Sequence, residues 1–317
     1  MWIIVILLLG ACGIIVFHGL NVLYKKTKHY KKQYARILHL MEMSHYERFD
    51  VINVGSSQIF FGLDYSRCTL RADNWAIYPQ FFEFDYAILQ QFSKQINRGA
   101  IVFLPICVME FFGGGDKVGN AADYYPIIDK KYLPYYDKSK YFDARLPLIR
   151  HPKWIKYIIR DISWSWEGYP IEQKPCVSPQ EYQNDANGYI ERWNNGFGTQ
   201  IPDLSITDEQ KRIIQKNIRA LGDMARFCRK NGWYPIFLML PATKYLTEKF
   251  TREFIDARVI ANIKVADTST PLLNYWGDAR FMGDELYLSS FFMNKAGRRL
   301  MTQQVIKDAM RLINKND

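Results

Sequence analysis

Two adjacent serines, Ser56 and Ser57, follow a short apolar run, Asp50-Val51-Ile52-Asn53-Val54, with Gly55 between them. A hydroxyl is a residue type that attacks acyl carbon, and it does so only when a neighbouring base takes its proton. Bases are scarce in this chain. The five histidines are His18, His29, His39, His45 and His151. Four of them precede the serines, which leaves His151, in Leu148-Ile149-Arg150-His151-Pro152, as the one imidazole after them. Near the C-terminus, Asp284 offers a carboxylate that can act as a substitute base. The five cysteines, Cys12, Cys68, Cys107, Cys176 and Cys228, form no CxxC pair, so neither a zinc site nor a disulfide framework is expected. P-loop, dinucleotide, HExxH and EF-hand patterns are missing, and we expect no metal and no cofactor.

These residues need elements to hold them. The run 50–54 reads as a buried strand ended by Gly55, with a helix-like stretch over 58–63. Further buried strands are expected at 100–104 and 234–240, and another at 259–266. A helix over 208–231 shows a stripe of Ile213, Ile214, Ile218, Leu221, Ala225 and Phe227. Apolar strands without period-2 alternation, separated by helices, predict an α/β fold with a mainly parallel sheet covered on both faces. A serine at the carboxyl end of the first such strand is presented to solvent beside free backbone N–H groups, where a nucleophile would sit. The plainer alternative is that both serines merely cap the helix that follows.

The chain resembles the SGNH/GDSL hydrolase superfamily and, within it, the membrane-anchored DltD-like proteins of teichoic acid D-alanylation and surface-polymer acylation. The likeness is carried by Asn53-Val54-Gly55-Ser56-Ser57 with Gly62-Leu63-Asp64, by Phe103-Leu104-Pro105, and by Phe227-Cys228-Arg229-Lys230-Asn231-Gly232-Trp233-Tyr234-Pro235. Leu240-Pro241-Ala242-Thr243-Lys244-Tyr245, Asp267-Thr268-Ser269 and Asn294-Lys295-Ala296-Gly297 complete it. The resemblance implies a three-layer domain, with Ser57 at the nucleophile position and its N–H in an oxyanion hole to which Asn74 is a further candidate donor. The family's Asp-x-x-His pair is degenerate here: Ser289 stands at the acid position and Phe292 at the base position. Neither can take the proton of Ser57, so the likeness implies a catalytically impaired accessory protein of cell-envelope polysaccharide or teichoic-acid-type acylation or export, its pocket kept without its reaction. The alternative is an active serine esterase or O-acyltransferase in which His151 or Asp284 has been recruited.

Residues 2–23 form an uncharged apolar stretch, long enough at about 20 residues for one membrane-spanning helix. A buried core helix, a cleaved signal peptide and a lipidated Cys12 are the alternatives. Lys25, Lys26, Lys28, Lys31, Lys32 and Arg36 follow as a basic collar suited to anionic head groups. We therefore read 1–24 as an anchor, 25–48 as a basic juxtamembrane helix or stalk, and 49–317 as the SGNH-like domain, with an insertion at about 113–206. That insertion is dense in Tyr124, Tyr125, Tyr132, Tyr135, Tyr136, Tyr141, Trp154, Trp164, Trp166 and Trp193, rings that can stack on sugars or simply pack the insertion. With 42 Lys plus Arg against 32 Asp plus Glu, the net charge is +10. Interleaved basic and aromatic residues are lacking, so nucleic acid is not expected. The expected partners are the bilayer, a cell-surface glycopolymer and a membrane-bound O-acyltransferase. The positive-inside bias points the domain to the cytoplasm, whereas the resemblance implies the outer face, which we take as the expectation.

Overall fold

The computed structural model describes residues 2–43, 47–78, 80–114, 124–138, 140–163 and 175–314. In chain order the elements used below are α1 (Trp2–Lys26), α2 (Lys28–Gln33), α3 (Ala35–Glu42), β1 (Phe49–Asn53), α4 (Ser57–Phe60), β2 (Ala72–Asn74), α5 (Phe82–Gln91) and β3 (Ile96–Pro105). They continue with α6 (Pro147–Arg150), α7 (Lys156–Ser163), α8 (Pro179–Phe197), α9 (Asp208–Lys230), β4 (Tyr234–Met239), α10 (Ala261–Ala266), β5 (Leu272–Asn274) and α11 (Lys295–Ile313). The chain divides into two compact units, one of Met1–Met43 with Gly119–Ile171 and the other of Ser44–Val118 with Glu172–Asp317.

The larger unit is α/β. Its five strands run in the order β2-β1-β3-β4-β5, and every neighbouring pair is parallel. Val51 pairs with Ile101, Phe103 with Ile236 and Leu238 with Leu273. Successive side chains on a strand point to opposite faces. On one face Val51, Ile101, Phe103, Ile236 and Leu238 pack with Ile59, and with Met301, Val305 and Ala309 of α11. Their alternates Ile52, Val102, Leu104, Phe237 and Met239 are equally buried, and α9 contacts β3 and β4. Burial of both faces accounts for the continuous apolar runs in the sequence. α9 starts with a capping box, Thr207 and Gln210 satisfying each other's backbone N–H groups, and buries Ile214, Leu221, Met224, Ala225 and Cys228.

Two expectations are corrected. Residues 259–266 are helical, not a strand: Val259, Ile263 and Ala266 are buried at spacings of four and three, which is a helical period. The edge strand lies later, at β5. The stretch expected to be helical over 58–63 is shortened to the single turn α4.

In the smaller unit, α1 continues past the apolar run to Lys26. The basic stretch is not one helix: Thr27 accepts a hydrogen bond from the Tyr30 N–H and starts α2, and α3 follows after Tyr34. Tyr24 packs with Leu148, Tyr157 and Ile158. Residues 113–206, read from sequence as one insertion, are divided: Gly119–Ile171 belong with α1, and α8 belongs with the sheet. Trp164 and Trp166 lie outside the described residues.

Candidate functional site

β1 lies between β2 and β3, so the chain leaves the carboxyl ends of β1 and β3 towards opposite halves of the sheet. Such a switch point leaves a crevice in parallel α/β sheets. A cleft of about 170 Å³ opens there. Ser56, Ser57, Gln58 and Ile59 after β1 line it, with Gln80 and Phe81 before α5, and Pro105, Cys107, Met109 and Glu110 after β3. Leu238 and Leu240 contribute from β4 and just beyond it, and Trp193, Phe197 and Phe291 complete the wall.

The turn carrying the serines is tightly determined. Gly55 adopts φ +115°, and a Cβ there would lie 2.7 Å from Ile59 Cγ2 and 2.8 Å from Pro105 Cγ. Its N–H donates to Asp85 Oδ1 at 2.7 Å. The Gln80 side-chain amide donates to the same oxygen, and the Gln80 backbone N–H donates to Ser56 Oγ at 3.2 Å. Asp85 thus gathers the turn from beneath, itself 1% exposed. Burial pushes its carboxyl up to about 7, against the two hydrogen bonds that favour ionisation.

Ser57 is half-buried, and among the described residues its hydroxyl makes no hydrogen bond. Gln58 is 8% exposed, and among the described residues its Nε2 has no partner. Glu110 is a further polar residue of the cleft. Burial, then the neighbouring Asp85, hold its carboxyl well above the usual carboxylate range. Burial also keeps the Cys107 thiol protonated. The loop after β3 is held by Asn217 on α9, whose Nδ2 donates to the carbonyls of Phe111 at 2.9 Å and Gly113 at 2.7 Å. The polar side of the cleft therefore consists of hydroxyls, carboxamides and a carboxyl that favours its neutral form, opposite aromatic rings. That surface suits an uncharged, hydroxyl-rich or acyl-bearing ligand better than an ion.

Of the residues singled out from sequence, Ser57 and Trp193 meet in this cleft. Phe292 packs its ring on Phe61, the residue that ends α4, with centroids 4.8 Å apart, and its neighbour Phe291 lines the cleft. Ser289 is fully buried, and its Oγ accepts from the N–H groups of Phe291 at 3.3 Å and Phe292 at 3.1 Å, which shapes the turn beneath both rings. Asn74 does not line the cleft: its Oδ1 accepts from Asn53 at 2.8 Å and from the Ala76 N–H at 3.1 Å, and its Nδ2 donates to the Ile59 carbonyl at 3.3 Å. Asp284 is outside the lining too, and accepts from the Tyr245 hydroxyl at 3.0 Å. His151 belongs to the smaller unit, where its ring stacks on Trp154 at 3.8 Å.

Sequence reasoning passed over Glu110, Gln58, Gln80 and Asp85. Glu110 stands a few residues past a buried strand, the position that could have flagged it, but what neutralises it is burial in the folded chain and then Asp85 of α5. Among the described residues no cluster of His, Cys, Asp and Glu is arranged to hold a metal ion. No family model matches the chain, and no curated protein is similar to it.

Proposed function

We propose that the protein is a membrane-anchored, SGNH/DltD-like accessory factor that binds an acylated cell-envelope glycopolymer in the Ser57 cleft without turning it over. The observation that carries this reading is the composition of the cleft: a presented serine hydroxyl and neutral polar groups share its wall with Trp193, Phe197 and Phe291, and among the described residues no imidazole lines the space. Aromatic faces take the apolar faces of sugar rings, and carboxamides and hydroxyls pair with their rims. A hydroxyl without a base is a weak nucleophile, so recognition outlasts reaction. A bilayer-bound O-acyltransferase is the partner this role implies, and the outer face of the membrane is where the polymer would be met.

The test uses the full-length chain in detergent. Calorimetric titration with an O-acylated oligosaccharide should give a saturable heat that the deacylated sugar lacks and that Trp193→Ala abolishes. Chromogenic short acyl esters should not be hydrolysed in a Ser57-dependent manner. Turnover that disappears in Ser57→Ala would overturn the reading.

One observation favours a second reading, an active serine esterase or O-acyltransferase. Glu110 shares the cleft with a Ser57 hydroxyl that makes no hydrogen bond among the described residues, and a carboxyl raised towards neutrality is a stronger base once it ionises. Under that reading ester hydrolysis rises with pH and is lost in both Ser57→Ala and Glu110→Gln.

A further inference from the structure

The smaller unit places an exposed apolar strip beside the charged end of α1. Residues 2–26 form a helix of mean hydropathy high enough to cross a bilayer. At 1.5 Å per residue, a hydrocarbon layer of about 30 Å is filled by roughly 20 residues, which brings its boundary close to Asn21. The segment carrying α6 and α7 is pinned at that level. The Leu148 N–H donates to Asn21 Oδ1 at 3.0 Å. Tyr24 packs with Leu148, Tyr157 and Ile158, and Phe17, Leu20 and Trp154 join them. From the other side of the junction, the Lys28 N–H donates to Asp161 Oδ2 at 2.5 Å, and the His29 ring stacks on Tyr157 at 3.7 Å.

With Tyr157 and Ile158 turned inward, the opposite side of the segment carries Ile155, 41% exposed, and Ile159, 66% exposed, with Ile149 at 45% on α6. Cations alternate with them: Lys153, Lys156 and Arg160 are exposed. A short helical segment whose outer side mixes isoleucines with cations, fixed at the boundary of a spanning helix, has the apolar side chains and the charge of an interfacial element. We propose that residues 147–160 are a second membrane contact, lying in the head-group layer around the exit of α1, with the isoleucines at the acyl boundary and Lys153, Lys156 and Arg160 on anionic lipid phosphates. The inference rests on α1 spanning the bilayer. It commits to lipid because the segment is tied to α1 at the level of Asn21 and Tyr24 and because its charge is opposite to that of acidic head groups.

The experiment reconstitutes the full-length chain in phosphatidylcholine–phosphatidylglycerol vesicles, with the five native cysteines replaced by serine. An environment-sensitive fluorophore is attached in turn at Ile155→Cys, Ile159→Cys, Leu9→Cys within α1 and Val265→Cys, which is 72% exposed on the larger unit. The probes at 155 and 159 should shift to the blue. They should be quenched more by lipid spin-labelled near the ester carbonyl than by lipid labelled near the chain end, and less in pure phosphatidylcholine. The probe at 9 should be quenched most by the deep label, and the probe at 265 by neither. If the probe at 9 is deep while those at 155 and 159 remain in water, the second contact is refuted and the anchor stands. A blue shift at 155 without lipid quenching assigns the strip to a contact with protein, this chain or a second copy of it, and likewise refutes it. An unquenched probe at 9 removes the anchor and the proposal with it. Equal quenching with and without phosphatidylglycerol refutes the anionic preference.

Discussion

Replacing Asp85 by asparagine will flatten the fall in stability that the sheet unit undergoes between about pH 5 and 8. Asp85 is 1% exposed, and burial lifts its carboxyl from 3.8 to about 7. A carboxyl raised by folding keeps its proton where the unfolded chain has already released it. The stabilising contribution is therefore whole below about pH 4 and is lost as the pH climbs through about 7. At about 1.4 kcal/mol for each pH unit separating 3.8 from 7, the full loss is about 4 kcal/mol, and about 3 kcal/mol of it falls above pH 5. Asparagine retains an oxygen that can accept from the Gly55 and Gln80 donors and never ionises. Thermal unfolding of the full-length chain in detergent, followed by near-ultraviolet circular dichroism, reads the effect directly. At about 2–4 °C per kcal/mol, the Tm of Asp85→Asn relative to wild type should rise by roughly 6–12 °C from pH 5 to pH 8. Glu110 acts in the same direction, so a residual slope persists in Asp85→Asn and disappears when Glu110→Gln is added. A Tm difference that stays constant across this range would refute the burial argument.

Gly55→Ala forces a side chain into a positive φ and against Ile59 and Pro105, and should cost roughly 3 kcal/mol in chemical unfolding. Asn217→Ala strands the carbonyls of Phe111 and Gly113. It should lower stability by about 3 kcal/mol, read as a drop in the midpoint of chemical unfolding with the slope unchanged. Phe292→His places an imidazole over the end of the turn that begins at Ser57. If the position is the degenerate base site, ester hydrolysis absent from wild type should appear, about 100-fold above the rate of the Phe292→His, Ser57→Ala double variant, whereas equal rates in the two separate Phe292 from that role.

Much of the fold is legible in local pattern. Strands buried on both faces are apolar at most positions, so 50–54, 100–104 and 234–240 declare themselves, and the 3.6-residue stripe of 208–230 marks the helix against them. The presented Ser57 follows from the same pattern, since a Gly-terminated strand in a parallel sheet ends at the crevice. Local composition misled where it competed with period: the β-branched residues of 259–266 suggest a strand, yet Val259, Ile263 and Ala266 lie on one helical face. The short edge strands β2 and β5 carry too few buried residues to be read at all.

The site's electrostatics, by contrast, belong to the tertiary structure. Nothing in the local sequence says that Asp85 is buried beneath Gly55, or that Glu110, 25 residues further on, is driven towards its neutral form in part by Asp85. A carboxyl's charge state depends on the solvent it loses and on the groups that close around it. Both are set only when β1, α5 and β3 are brought side by side. The sequence by itself determined which side chains were available and that most of the histidines lie ahead of the sheet. Only the folded chain decided that the groups meeting Ser57 in its cleft are amides, aromatic rings and a carboxyl driven towards its neutral form, because burial couples residues that chain order keeps apart.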